Sequence, residues 1–269
     1  TCSLALTALV TSILIDARYP GTFSFMDTRA AGFGVNPNCG AALTVMLLIG
    51  VLDWKNPRIS ISVCVWTMIS LVGVFMTMSR SGMLLLGIVG MLYVRQCVKR
   101  NGLGTLIILG GIAVSCAGYL VVAGDFARQV LPLFEAKTSR ANFFSGQFDA
   151  LDATEDSRVE FALAHIEMGM ERPVLGWGTG LTYLGEDGSH NMFIARWVEN
   201  GIPGLLAYCL LILAIFRIGW VNRSWECMAV SLFLAGLSFF SHNLLEDKSL
   251  LIMLAISSGR AVLNSPEAA

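Results

Sequence analysis

Of the 269 residues, 55% are hydrophobic and only 14% charged, with a formal net charge of −1 and a mean hydropathy of +0.68. A soluble core of this length does not need so much apolar surface, so the composition points to a membrane. The absence of a basic face interleaved with aromatics excludes nucleic acid as a partner, and seven cysteines without CxxC spacing give neither a disulfide framework nor a zinc site.

A helix needs about 20 mostly apolar residues to cross the hydrocarbon layer. Eight runs are candidates: Thr1 to Ile15, Cys39 to Leu52, Ile59 to Met78, Gly82 to Val98, Leu103 to Ala123, Gly201 to Trp220, Cys227 to Leu245 and Leu250 to Leu263. The second is short enough to be re-entrant or interfacial instead. The fold class expected is an all-α, polytopic integral membrane bundle of about eight spans. It divides into a five-span bundle over 1–123, an outer helical loop domain over 124–200 and three closing spans over 201–269. The chain starts at Thr1 with neither Met nor a basic n-region before its apolar run, which suggests a fragment.

Lys and Arg in short loops are retained on the cytoplasmic side. With the first span exiting outward, the inner loops hold eight basic residues (Lys55, Arg58, Arg95, Lys99, Arg100, Arg217, Arg223, Arg260) and the short outer loops four (Arg18, Arg29, Arg80, Lys248). The long 124–200 segment then lies outside. Its six basic and twelve acidic residues do not weigh against this, because long loops translocate largely regardless of charge.

Within that segment, Ser157 and Glu160 form a capping box, and Val159, Leu163, Ile166 and Met170 recur at helical spacing. Ser157 to Glu171 therefore reads as an amphipathic helix on the bundle or membrane surface, ended by Pro173. Gly176, Gly178 and Gly180 suggest a tight turn, with Trp177 at the interface. This is no dinucleotide fingerprint, since no strand leads in and the spacing differs. A short helix from Asn191 to Glu199 follows, and Gly201 and Pro203 mark a helix end and a new start.

His190 is the leading general base, because an imidazole with an ordinary pKa near 6.5 accepts a proton at neutral pH. His165, mid-helix, reads as a surface or packing residue. His242 heads a second His-Asn pair at an outer helix end, suited to holding an acceptor or simply to the interface. Arg80 lies between two spans with almost no loop around it, either as a phosphate ligand through its planar fork or as a snorkelling interfacial residue. Arg158, in the first turn of the amphipathic helix, is either a second phosphate ligand beside free amides or an ordinary solvated surface arginine. Arg29, with Asn36-Pro37-Asn38 nearby, could line the same outer cavity. Glu199 could orient His190 or an acceptor, although a solvated helix-end glutamate is the ordinary reading. No Asp-x-Asp pair is present to bridge a divalent metal to phosphate, which favours arginine for neutralising a diphosphate.

Taken in order, these residues resemble the O-antigen ligase and polymerase superfamily of bacterial envelope proteins. His190, Asn191, Gly201 and Gly204 fit the His-Asn-x9-Gly-x-x-Gly signature of the ligases. Asn36-Pro37-Asn38, Ser79-Arg80-Ser81-Gly82, and the stretch from Arg158 through Pro173 to Gly176-Trp177-Gly178 add to it. The resemblance implies a GT-C-like bundle in the bacterial inner membrane with its active face periplasmic and no cofactor. The donor would be a polyprenyl-diphosphate-linked glycan and the acceptor lipid A core or a growing glycan, among membrane lipids. It further implies inversion at the anomeric carbon without metal, with Arg80 and Arg158 on the diphosphate and His190 activating the acceptor hydroxyl. Repeat-unit polymerases and protein O-oligosaccharyltransferases share this chemistry and differ in acceptor. A transporter of similar span number would place ionisable groups near mid-membrane, whereas here the charges gather at the outer surface.

Overall fold

The computed structural model describes residues 2–24, 29–101, 152–181, 191–241, 244 and 248–263. These residues form helices without any strand. In chain order the helices are α1 (Cys2–Arg18), α2 (Pro37–Val51), α3 (Ile61–Met76), α4 (Arg80–Asn101), α5 (Asp152–Glu171), α6 (Met192–Val221), α7 (Trp225–Leu237) and α8 (Lys248–Leu263), with a 3-10 turn at Gly32–Gly34. The candidate span Leu103 to Ala123 lies outside the described residues. Two of the helices, Arg80–Arg100 and Met192–Val221, are long and apolar enough to cross a membrane, and Pro37–Val51, Ile61–Met76, Trp225–Leu237 and Leu250–Leu263 are shorter apolar helices.

Helix starts follow the capping chemistry of the sequence. Asn36 caps α2 by accepting from the Asn38 amide, with Pro37 at the first position, where its missing N–H costs nothing. Ser60, Asn191 and Ser224 cap α3, α6 and α7 in the same way. α2 is the central helix: Ala41, Ala42, Val45, Met46, Leu48 and Ile49 are buried, and it packs on α1, α3, α4, α7 and α8. That burial is that of a core helix. Small residues let its neighbours close in, since a Cβ on Gly82 of α4 would stand 2.6 Å from the Ala41 methyl. α3 lies at the periphery, with Ile61, Val65, Met68, Val72 and Phe75 exposed at helical spacing. An apolar face turned outward is what a lipid-facing helix presents.

Three expectations are corrected. α5 begins by Asp152, so Ser157 lies within the helix and does not cap it, and Arg158 is past the first turn, where amides are already bonded within the helix. Of its apolar stripe, Leu163 and Met170 are exposed and Ile166 is half-buried. Gly169 faces α6, where a Cβ would meet the Trp197 ring at 3.0 Å. Finally, α7 stops at Leu237 rather than running to Leu245. The Ser238 hydroxyl bonds the Tyr208 hydroxyl at 2.6 Å, and the Ser238 carbonyl accepts the Met192 amide at 2.7 Å, so the start of α6 occupies the place of another helical turn.

Candidate active site at one end of the bundle

Two junctions build one end of the bundle. The first joins the starts of α2 and α4. Asp16, just past the apolar part of α1, is 1% exposed and accepts four backbone amides: Ala31 at 2.8 Å, Phe23 at 3.0 Å, Ser24 at 3.3 Å and Gly32 at 3.3 Å. Burial pushes its carboxyl up, but the four N–H donors outweigh burial and hold it below the ordinary 3.8. The Ser24 hydroxyl donates to the Arg29 carbonyl at 2.9 Å, so the same loop fixes the Arg29 backbone.

From there the Arg29 guanidinium donates to the Thr77 carbonyl at 3.1 Å, the Met78 carbonyl at 3.3 Å and Asn38 Oδ1 at 3.1 Å. It thereby ties the end of α3 to the start of α2. Ser79 Oγ donates to the same Asn38 oxygen at 3.1 Å and accepts the Gly82 amide at 3.3 Å as the N-cap of α4. Met78 turns through a positive φ of 51°, and Arg80 follows as the first, exposed residue of α4. Arg29, Asn36-Pro37-Asn38 and Ser79-Arg80-Ser81-Gly82 are therefore one cluster. The positive ends of two helix dipoles, α2 and α4, open toward it.

The second junction joins the glycine turn after α5 to α6. Gly176, Gly178 and Gly180 all have positive φ, as the tight turn requires. The Trp177 and Gly178 amides donate to the Val198 and Glu199 carbonyls, both at 2.9 Å, and the Ile202 amide donates back to Pro173. α6 is two helical segments that meet at Gly201 (φ 66°, ψ −163°), with Pro203 two residues on, which matches the expected helix end and new start. No side chain fits between these backbones: a Cβ on Gly201 would lie 2.0 Å from the Val174 carbonyl oxygen, and one on Gly176 2.5 Å from Glu199.

Glu199 is not the solvated helix-end residue that its position suggests. Its side chain has no exposure, bonds Arg196 at 3.1 Å through Oε2, and accepts the Gly180 amide at 3.2 Å through Oε1. Glycine packing draws the turn over it and removes the water that a helix-end glutamate ordinarily keeps. The buried Arg196 Nε has no partner among the described residues.

The two junctions belong to the same end. Leu85 of α4 reaches the position of a Cβ on Gly236 at 2.6 Å, near the close of α7, and α7 receives the start of α6 through Ser238 and Met192. Asn191, whose side chain accepts the Phe193 and Ile194 amides at 2.9 and 3.2 Å, thus stands at the end that carries Arg80. At the opposite end Arg100 donates to the Lys55 carbonyl at 2.7 Å and Arg260 pairs with Glu226 at 3.4 Å.

A family model described as O-antigen ligase matches residues 63–209, more than half of the chain. The chain belongs to the O-antigen ligase family. The matched range contains Arg80, Arg158, His190, Asn191, Gly201 and Gly204, whereas Asp16, Arg29 and Asn36-Pro37-Asn38 precede it. A search of curated proteins gives no match. Membership makes the chain an enzyme-family member of the membrane-embedded, envelope-glycan class, in agreement with its apolar helices. His190 and His242 lie outside the described residues, as does the Arg158 side chain. His165 is partly buried with Nδ1 2.7 Å from the Phe161 carbonyl, a packing role within α5.

Asp16 and Arg196 were not among the residues singled out from the sequence. Asp16 follows the long apolar run directly and precedes Pro20 and Gly21, a carboxylate placed to collect turn amides, which is the signal that could have found it. Arg196 had no such signal.

Proposed function

We propose that this protein is an O-antigen ligase-type glycosyltransferase that moves a glycan from a polyprenyl diphosphate to a hydroxyl of lipid A core at the periplasmic face of the bacterial inner membrane. The acceptor oxygen attacks the anomeric carbon, the bond from that carbon to the diphosphate oxygen breaks, and the acceptor proton passes to His190. Arg80 and Arg158 hold the diphosphate and offset the charge that grows on it as it leaves. No metal is required in this scheme. The bundle is read as GT-C-like, with about eight spans in this chain.

The observation that carries this reading is the O-antigen ligase match across Arg80, Arg158 and His190, supported by Arg80 and Asn191 standing at one end of the bundle. Arg29 acts in the scheme by positioning, since its donors hold the Thr77–Met78 carbonyls and Asn38 just ahead of Arg80. Glu199, Gly201 and Gly204 shape the junction that leads to and from His190. For Gly204, a Cβ would stand 2.3 Å from the Asn200 side chain.

The test is transfer from a lipid-diphosphate glycan by the full-length protein carrying His190→Ala, Arg80→Ala or Arg158→Ala. General acid–base contributions are typically about 100- to 10,000-fold, which is the loss expected for His190→Ala. Normal turnover in that variant removes His190 from the base role. In a deletion strain, loss of attachment with intact lipid-linked polymer is expected, whereas accumulation of single repeat units would assign the protein to polymerisation.

A further inference from the structure

α6 is two helical segments joined at the Gly201 kink. The first, which carries Arg196 and the buried Glu199, folds back along the second: a Cβ on Gly204 would stand 2.9 Å from the Arg196 carbonyl oxygen, and the Phe193 and Tyr208 rings lie 5.5 Å apart. The second, over 201–221, spans about 30 Å at 1.5 Å per residue, which matches a hydrocarbon layer of about 30 Å. From Gly201 to Val221 the helix is apolar apart from Arg217, and Ile202, Leu206, Leu210 and Leu213 form one exposed face at helical spacing. The hydrocarbon boundary therefore falls near Gly201.

That level is where the turn after α5 is fastened. The Ile202 amide donates to the Pro173 carbonyl at 2.9 Å, and Gly201 packs on the Val174 backbone. The next two side chains turn outward: Val174 is 59% and Leu175 82% exposed, although both are large and apolar. Beside them the Arg172 guanidinium lies over the Trp177 ring at 4.0 Å, and the Trp177 Nε1 donates to the Met168 carbonyl. Cations and indoles are the groups favoured at a headgroup layer, next to aliphatic side chains that enter the acyl boundary.

We propose that Val174 and Leu175 are a membrane-interface anchor that inserts into the near leaflet of the bilayer beside the first turns of α6 after Gly201. The occupant of this surface is phospholipid, because the turn continues the exposed Ile202–Leu206–Leu210 face that crosses the same leaflet. The anchor fixes the height of the glycine turn above the membrane and, through Glu199 and Gly180, the start of the segment that leads to His190. The inference rests on the membrane crossing by α6, which belongs to the proposed function.

The test is site-specific photo-crosslinking of the full-length protein in native membranes, with Leu175→p-benzoylphenylalanine and, as the lipid-facing reference, Leu210→p-benzoylphenylalanine, followed by mass analysis of the adducts. Phospholipid adducts are expected at both positions, at yields within about threefold, as for two side chains in one leaflet. An adduct at 210 but none at 175 overturns the anchor while leaving the crossing intact. An adduct at 175 confined to the protein's own chain or to a polyprenyl lipid also overturns it. No lipid adduct at either position overturns the crossing and the anchor together.

Discussion

The two junctions at this end of the bundle are held by opposite means. At the Asp16–Arg29 junction, charged side chains reach across the chain to backbone groups, with four amides on one carboxylate and two carbonyls on one guanidinium. At the Gly176–Gly201 junction, backbones touch directly because side chains are missing, with the Arg196–Glu199 pair beneath the contact and Arg172 stacked on Trp177 beside it. A side-chain clamp degrades by degrees, losing one bond at a time and responding to pH. A contact between backbones has no intermediate state, so one methyl group is enough to break it.

The sharpest way to break this contrast is Gly201→Ala. The added Cβ meets the Val174 carbonyl at 2.0 Å in a left-handed conformation, and a cost of roughly 4 kcal/mol or more is expected from backbone strain and clash together. Thermal unfolding of the purified protein in detergent measures it, and a melting temperature within error of wild type would show that the kink relaxes freely. Glu199→Ala comes next. Leaving Arg196 mostly buried without its carboxylate costs about 3 kcal/mol by the usual penalty for breaking a buried pair, and the glycine turn over 176–181 should become more accessible to limited proteolysis. An unchanged digestion pattern would mean that Glu199 does not hold the turn.

Asp16→Asn is expected to cost a similar amount, about 3 kcal/mol, since the amide keeps only one acceptor oxygen and so loses two of the four bonds, each worth roughly 1.5 kcal/mol or more when the acceptor is charged. Because the folded-state pKa of Asp16 is lowered, its contribution is complete above the unfolded value of about 3.9 and is lost as the pH falls through the folded one. The stability gap between wild type and Asp16→Asn should therefore be constant from neutral pH down to about 5 and narrow only below about 4. A gap that closes near neutral pH would contradict the four-amide account. The smallest effect belongs to Ser79→Ala, about 1 kcal/mol for loss of an N-cap. Arg29→Lys adds a second probe, because a lysine cannot serve the Thr77, Met78 and Asn38 oxygens in one plane. In the proposed enzyme both should weaken donor binding more than turnover, measured as a rise in KM that exceeds the fall in kcat, and the reverse split would place them away from the diphosphate.

Much of this was legible in the sequence. Apolar run length placed α1, α2, α3, α4, α6 and α8, and the Asn36-Pro37 and Asn191 caps, the glycine turn and the Gly201–Pro203 break were readable because each is a local consequence of backbone chemistry. The family signature was readable for the same reason, as spacing along one chain. Where the reading failed, a distant segment decided the outcome. α7 ends early because the start of α6 takes the Ser238 carbonyl, and Glu199 loses its water because a turn some twenty residues earlier folds over it. Ser157 looked like a cap because Ser157 and Glu160 have the capping-box spacing, and that spacing also occurs inside a helix that has already begun.

The sequence by itself determined the apolar helical class, the family and the residue types offered for chemistry, since composition, periodicity and spacing are properties of a linear chain. Only the tertiary structure decided which arginine is spent on its own backbone and which stands exposed at a helix start. Arg29 and Arg80 are the same residue type, both at outer loops in the sequence. Arg29 alone has been seated by Asp16 and Ser24 within reach of the Thr77 and Met78 carbonyls, and that is a matter of distances in space.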